Sequence, residues 1–265
     1  MSKIVRVEVG RFDYALVGDF KFFKGGKRPS VLVRLTDEDG VQGWGQSVPV
    51  ETWTYETVES VESTLTHYLA AAILGADPTD LADIHARMER AIRPSFSMGQ
   101  PLAKAAIDLG NRGQTTFSAF SFRKRGLSPI SDEGIVSPVE TAEFIALGML
   151  DGIAMKIARC GGLWNASRIV TLLDENGLLL FASGLTDPDW SLAASVHLFA
   201  WAGLARPAAL NGPQYIEGRG TIDAQFRAVD DIVRLPATAG LGVIADARAD
   251  ASLGVVAQSE SRPRA

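Results

Sequence analysis

Two charged residues directly follow apolar runs of the strand type, and both could do chemistry. Asp132 comes after Pro129-Ile130-Ser131, and Lys156 comes after the run 152–155. In parallel βα architectures, the carboxyl ends of the strands face the active site. A carboxylate there can bind Mg²⁺, and a partly desolvated lysine can act as a base. The structural alternative is that Asp132 caps the next helix and pairs with Lys156.

Other polar residues fit structural roles better. Asp187 and Asp189 precede a helical pattern, and we interpret them as its N-cap and first turn. His197 lies within that helix on an apolar face, which favours packing over catalysis. His67 and His85 lie in ordinary helical patterns. We therefore expect none of these residues to do chemistry.

The elements of the first hundred residues are strands followed by helices, an order that favours an α+β domain. Alternation of apolar and polar residues predicts the strands, and helical spacing predicts the helices. The predicted strands span residues 3–9, 30–36 and 41–45, and the predicted helices span residues 54–72, 80–92 and 100–108. The last two strands are expected to form a hairpin across Asp37-Glu38-Asp39-Gly40.

The second half of the chain has a different organisation. Residues 111–126 have no clear period, and we interpret them as a linker. Strand and helix patterns then alternate, which predicts a parallel sheet of about four βα units. The predicted elements are a strand ending near residue 131, a helix over 138–149, a strand over 152–157, a helix over 164–175, a strand over 178–182, a helix over 190–202 and a short apolar run at 208–210.

Composition excludes several classes of protein. The chain has 265 residues, a formal net charge of -5 and 46% hydrophobic residues, without a face rich in lysine and arginine, so we expect no nucleic-acid partner. The single cysteine, Cys160, excludes an internal disulfide and fits a cytoplasmic protein. The N-terminus has no apolar signal-peptide core, and no apolar run approaches the roughly 18 residues of a membrane span.

The motifs together resemble one family. The run 151–163, with Lys156 and the pair Gly161-Gly162, resembles the sixth barrel strand and following helix of the mandelate racemase and muconate lactonizing branch of the enolase superfamily. Pro129-Ile-Ser-Asp-Glu-Gly134 resembles that family's fifth-strand motif. Four shorter motifs fall in the family's order: Asp39-Gly-Val-Gln-Gly-Trp-Gly45, Ala103-Lys-Ala-Ala-Ile-Asp108, Asn211-Gly-Pro213 and Gly240-Leu-Gly242.

The resemblance implies an activity and roles for five residues. Family enzymes remove the proton α to a carboxylate, and Mg²⁺ stabilises the enediolate. By this resemblance Lys156 is the acid/base residue and Asp132 a Mg²⁺ ligand. Lys21 and Phe22 belong to the loop that closes over a small carboxylate substrate, and Asn211 is a further substrate-binding position. The implied activity is that of a racemase, epimerase or dehydratase, an isomerase or lyase.

One departure from the family governs the expected architecture. Four βα units of the family should precede the fifth strand, and at roughly 30 residues each they need about 120 residues. Only residues 110–130 stand there, so we expect an internal deletion of the first half of the barrel. The expected divisions are an N-terminal α+β capping domain with its connecting helix at 1–109, a linker at 110–128, a truncated (β/α) barrel at 129–226 and a C-terminal segment returning to the capping domain at 227–265.

The expected deletion also removes residues that the family uses for catalysis. The metal ligands that the family draws from its second to fourth strands have no counterpart here, so we expect impaired or absent catalysis. The alternative is a pseudoenzyme, or a non-catalytic binding or interaction protein built on the capping domain. A truncated barrel exposes strand edges near residues 129–131 and 208–210, which favours a homo-oligomer.

Overall fold

The computed structural model describes most of the chain. The described ranges are residues 2–20, 23–94, 99–110, 130–132, 134–204, 206–217, 228–237 and 239–259. Within these ranges no helix has the length and apolar character needed to cross a membrane. The predicted linker lies outside the described residues, apart from Gly110.

An antiparallel sheet of four strands forms the capping domain. Its strands are β1 (Ile4–Ala15), β2 (Lys27–Asp37), β3 (Gln42–Ser47) and β7 (Gly254–Gln258), in the order β3-β2-β1-β7. The predicted hairpin is confirmed, because β2 pairs with β3 in a register that sets Val33 opposite Gly45. β1 is longer than predicted, since buried Tyr14 continues the alternation of its residues.

Four helices and a π-helical turn follow β3 and cover one face of this sheet. They are α1 (Val58–Thr64), the π-helical turn Leu65–Leu69, α2 (Ala70–Ile73), α3 (Leu81–Ala91) and α4 (Pro101–Gly110). The first predicted helix begins at Val58 rather than residue 54 because Thr57 and Ser60 form a reciprocal capping box. The helices and the sheet bury a common apolar core that includes Val7, Val33, Leu65 and Ile107.

Helix α4 lies directly on the backbone of β3. A side chain at Gly45 would place its Cβ 1.8 Å from the carbonyl oxygen of Ala106, and one at Gly43 would place it 1.8 Å from that of Gly110. Only glycine permits such an approach. The Gly-x-Gly sequence in β3 therefore sets the distance between α4 and the sheet.

The second half forms a short parallel sheet covered by helices. Its strands, in the order β4-β5-β6, are β4 (Ile130–Ser131), β5 (Gly152–Met155) and β6 (Leu179–Ala182), and a parallel bridge joins Ser183 to Ala209. The helices are α5 (Pro138–Ala146), α6 (Leu163–Glu175) and α7 (Asp189–Trp201). This confirms an α+β capping domain joined to a parallel sheet of βα units, in which a fourth strand segment contributes one bridge to the described structure.

The C-terminal segment holds elements that the sequence did not predict. Helix α8 (Ala247–Ser252) leads into β7, which pairs with β1 at the edge of the capping sheet. Upstream of them, the His197 ring in α7 lies 3.2 Å from the carbonyl oxygen of Leu241 and makes a hydrogen bond to it. Burial lowers the pKa of His197, while the hydrogen bond to Leu241 acts in the opposite direction.

A buried carboxylate holds the start of α4. Glu56 is 2% exposed, and its two oxygens accept hydrogen bonds from the backbone N–H groups of Leu102 (2.6 Å) and Ala103 (3.2 Å). These groups lie in the first turn of α4 and have no partner within the helix. Burial raises the pKa of Glu56 to about 7, although both hydrogen bonds act in the opposite direction.

Ionisation of Glu56 should make the fold less stable as pH rises. Its folded pKa of about 7 lies above the ordinary 4.5, so the folded state binds more protons between these values. The free energy of unfolding should therefore fall from pH 5 to pH 8, by up to about 3 kcal/mol from this group. In Glu56→Gln this component should vanish, which urea denaturation at the two pH values measures.

Glu59 supplies the matched control. Its side chain is 70% exposed, and a hydrogen bond from its own backbone N–H lowers its pKa, so it stays ionised across the same interval. Glu59→Gln should leave the difference between pH 5 and pH 8 as it is in the wild type. An equal pH dependence in the wild type and Glu56→Gln would contradict the assignment.

Candidate active site at the carboxyl ends of the parallel strands

Lys156 and Asp132 meet at one end of the parallel sheet. Lys156 follows the last residue of β5, and Asp132 follows the last residue of β4. The Lys156 side chain is 6% exposed, and its Nζ donates a hydrogen bond to Asp132 Oδ1. This confirms that the two side chains lie at the same end of the parallel sheet. Asp132 does not cap α5, since that role belongs to Ser137.

A buried acid, Asp187, lies in the loop after β6, within the electrostatic influence of Lys156. Asp187 accepts hydrogen bonds from the backbone N–H of Leu185 (3.1 Å) and from Ser191 Oγ (2.9 Å). Burial raises its pKa, while the positive charges of Arg28 and Lys156 act against that rise. The prediction that Asp187 is the N-cap of α7 is wrong, because Pro188 occupies that position; Asp189 does lie in the first turn.

Arg28 joins the loop after β6 to the capping sheet through hydrogen bonds. Its guanidinium is fully buried and donates hydrogen bonds to five backbone carbonyl groups. Two of these acceptors, Leu185 and Thr186, belong to the loop; the others are Pro29, Val48 and Pro49. Burial lowers the pKa of Arg28 to about 10, with Asp187 acting against that shift, so the group stays charged at neutral pH.

Gln46 joins β3 to the start of α7 through a second buried contact. Its Nε2 donates to the hydroxyl of Tyr14 at 2.8 Å, and its Oε1 accepts from the backbone N–H of Ser191 at 3.3 Å. Tyr14 in turn donates to Asp189 at 2.8 Å. A neutral amide can both donate and accept here. Gln46 therefore helps to hold the capping sheet against the strand ends.

Asn211 lies at the same strand ends with an oxygen still available. Its Oδ1 is buried, and no donor among the described residues reaches it. Asn211 Oδ1, Asp187 Oδ2 and the carbonyl oxygen of Ala209 all lie within 4 Å of the position that a Cβ on Gly184 would take. Asp187 and Asn211 thus meet beyond the end of β6, and the charge of Lys156 acts on Asp187.

The predicted substrate loop is described only at its edges. Lys21 and Phe22 lie outside the described residues. Beside them, the Phe20 ring packs 4.9 Å from the ring of Tyr215, and the buried Phe23 lies under the guanidinium of Arg28. The flanks of the loop thus contact the segment that follows Asn211.

The described residues do not make a magnesium site. They contain no group of three or more His, Cys, Asp or Glu side chains placed to hold a metal ion. Asp132 already accepts the Lys156 ammonium, and Asp187 is engaged by Leu185 and Ser191. Mg²⁺ requires several oxygen ligands in a near-octahedral arrangement. The donor set seen here does not fit that ion.

Two protein-family models match the chain and show which family it belongs to. Residues 22–111 match the mandelate racemase / muconate lactonizing enzyme N-terminal domain, and residues 122–249 match the enolase C-terminal domain-like family. The chain belongs to the mandelate racemase and muconate lactonizing branch of the enolase superfamily. The matched ranges contain both Lys156 and Asp132.

Individual relatives of this branch agree with the assignment. N-succinyl-L-Arg/Lys racemase of Bacillus cereus is 37% identical over 81 residues, which are 31% of this chain and 21% of the relative. Its crystal structure superposes with a TM-score of 0.80 at 17% identity, covering 96% of this chain and 99% of the other. A family protein from Roseovarius nubinhibens, in complex with magnesium, superposes with a TM-score of 0.76 at 18% identity, covering 93% and 97%. At such identities the superpositions establish the fold.

Removal of the Arg28 guanidinium should destabilise the protein strongly. In Arg28→Met, five carbonyl groups lose their donor, in four buried contacts and one half-buried contact, and we expect the free energy of unfolding to fall by about 3–5 kcal/mol. Arg11→Met is the matched control, since Arg11 lies on β1 with a 43% exposed side chain paired to Glu59 and Glu62. It should cost at most about 1 kcal/mol. Equal losses in urea denaturation would contradict the role given to Arg28.

Proposed function

We propose that the chain is an enolase-superfamily protein of the racemase, epimerase or dehydratase type, with Lys156 as the residue that moves the proton α to a carboxylate, and that its turnover is impaired. The observation that carries the proposal is the contact between Lys156 and Asp132 at the carboxyl ends of adjacent parallel strands. A small carboxylate substrate is the class that this chemistry requires.

The geometry gives each residue a part in this chemistry. The Lys156 side chain is nearly shielded from water, which favours proton exchange with a bound molecule over exchange with solvent. Asp132 is 60% exposed and lies on the solvent side of Lys156. Asn211 offers Oδ1 as an acceptor for a substrate N–H or O–H group. We assign Lys21 and Phe22 to closure over the substrate.

The impairment follows from the charge that the reaction creates. Removal of a proton α to a carboxylate builds negative charge on the carboxylate oxygens, and Mg²⁺ supplies the stabilisation in this superfamily. Asp132 alone, already paired with Lys156, is a poor ligand for that ion. An internal deletion between α4 and β4 accounts for the missing ligands, and it places the division between capping domain and truncated barrel at residues 110–128.

The capping domain supports an alternative, a pseudoenzyme or a binding or interaction protein. A cavity of about 500 Å³ opens on this domain, away from Lys156. Its lining combines aromatic, apolar and charged side chains, among them Phe12, Phe23, Lys27, Val50, Glu51 and Glu59. A mixed lining of this kind suits a small polar molecule or a peptide side chain.

We also propose a cellular location and an oligomeric state for the protein. The free and buried Cys160 supports a cytoplasmic location. In the described structure β4 pairs only with β5, and it therefore forms one edge of the parallel sheet. Such an edge favours pairing with a second copy of the chain, and we propose a homo-oligomer.

Exchange of the α-proton tests the catalytic proposal. N-succinyl-L-lysine, chosen from the name of the Bacillus cereus relative, is incubated with the protein in D₂O, and loss of its α-proton signal is followed by NMR. We expect slow exchange that Lys156→Ala reduces by about 100-fold or more, the usual contribution of a general acid/base. Lys27→Ala, whose side chain is 64% exposed, should match the wild type.

The metal is tested in the same assay. Because the described residues do not form a magnesium site, added MgCl₂ or EDTA should change the exchange rate less than twofold. Exchange that requires Mg²⁺ would overturn the account of the impairment. The absence of any exchange that depends on Lys156 would favour the non-catalytic alternative.

A further inference from the structure

Helix α6 begins without a cap of its own. Its N-cap position is Gly162, which has no side chain to accept from the first backbone N–H groups of the helix. The first turn of a helix leaves such groups without an internal partner, and a buried helix start needs an acceptor from elsewhere. That acceptor comes from the capping domain.

Asp108, in the last turn of α4, supplies the missing cap. Its Oδ2 accepts from the backbone N–H of Leu163 and lies 3.4 Å from the N–H of Trp164, the first two residues of α6. Its Oδ1 lies 2.7 Å from Nε2 of His85 on α3. The Asp108 side chain is 1% exposed, so both oxygens are used for contacts within the protein.

The backbone at Gly162 is shaped for this contact. Its φ of 104° favours glycine, and a Cβ there would lie 2.3 Å from Asp108 Oδ2. The preceding residue, Gly161, has a left-handed conformation and ends the 3₁₀ turn Ile157–Cys160. The Gly161-Gly162 pair therefore admits the carboxylate of another helix to the start of α6.

The same turn begins at Lys156. The backbone N–H of Arg159 donates to the carbonyl oxygen of Lys156 at 3.0 Å, and the N–H of Gly162 donates to that of Ile157 at 3.2 Å. Every residue of the 3₁₀ turn is buried. One rigid, hydrogen-bonded segment therefore runs from Lys156 to the start of α6, where Asp108 binds.

We propose that Asp108 is a positioning residue: by capping α6 from the capping domain, it fixes the turn that follows β5 and so holds Lys156 against Asp132. His85 orients the Asp108 carboxylate from the opposite side. The effect of Asp108 on proton exchange rests on the proposed function, but the position of Lys156 does not.

Chemical labelling of Lys156 tests this without any turnover. The full-length protein is treated with a trace of acetic anhydride, and mass spectrometry compares acetylation of Lys156 with that of the exposed Lys27 over a range of pH. In the wild type, Lys156 should react far more slowly than Lys27, because its side chain is 6% exposed against 64%. In Asp108→Ala the relative rate at Lys156 should rise about tenfold, the effect of losing a helix cap of ordinary strength.

Two further variants separate positioning from general loss of stability. Asp80→Ala removes the side-chain cap of α3, in which Asp80 accepts from the N–H of Asp83, and should leave labelling of Lys156 at the wild-type rate. Asp108→Asn keeps one acceptor oxygen and should give an intermediate rate. All variants are compared under conditions where circular dichroism shows the native signal.

The outcomes are distinct. If Asp108→Ala does not fold, Asp108→Asn and Gly162→Ala carry the test, since a Cβ at residue 162 displaces the carboxylate. Unchanged labelling in folded variants of Asp108 or Gly162 would overturn the proposal, as would an equal rise in Asp80→Ala. A rise specific to Asp108, together with no proton exchange on N-succinyl-L-lysine, would support the positioning role and favour the non-catalytic alternative.

Discussion

The packing of the capping sheet against the parallel strands depends on one buried cation, Arg28, which contacts no carboxylate directly among the described residues. Arg28 leaves water completely, and its compensation comes from five backbone carbonyl groups together with the more distant charge of Asp187. A guanidinium suits this task, because its planar fork of donors is permanently charged and can reach several acceptors at once. Those acceptors belong to β2, to the segment directly after β3 and to the loop after β6, so one side chain joins the capping sheet to the parallel strands.

Helix α4 makes a second connection between the two halves of the chain. It rests on the glycines of β3, begins at the Glu56 carboxylate and ends with the Asp108 carboxylate at the start of α6. Each of these contacts joins residues far apart in the chain. The two halves therefore form one buried polar framework, and the region around Lys156 is held in place from the capping domain.

Local sequence patterns were enough to predict most strands and helices. Contacts between residues that are far apart in the sequence could not be predicted in this way. The strand patterns before Asp132 and Lys156 were enough to predict that both side chains lie at the same end of the sheet, because parallel strands have their carboxyl ends on the same side. The roles of Arg28, Glu56 and Asp108 could not be predicted, since each is a polar residue in an ordinary local pattern whose partners are backbone groups elsewhere. Strand β7 was missed because its five residues alternate little and pair only with β1, at the opposite end of the chain.

The pairing of β1 with β7 has a consequence for synthesis. The backbone N–H of Ser259 donates to the carbonyl oxygen of Val5, a contact between residues 254 positions apart. A nascent chain emerges N-terminus first, so β1 leaves the ribosome long before its outer neighbour exists. Until residue 258 is free, the capping sheet has an open edge along Arg6–Val9, the kind of edge to which other chains add. Chaperone demand during translation should therefore centre on β1.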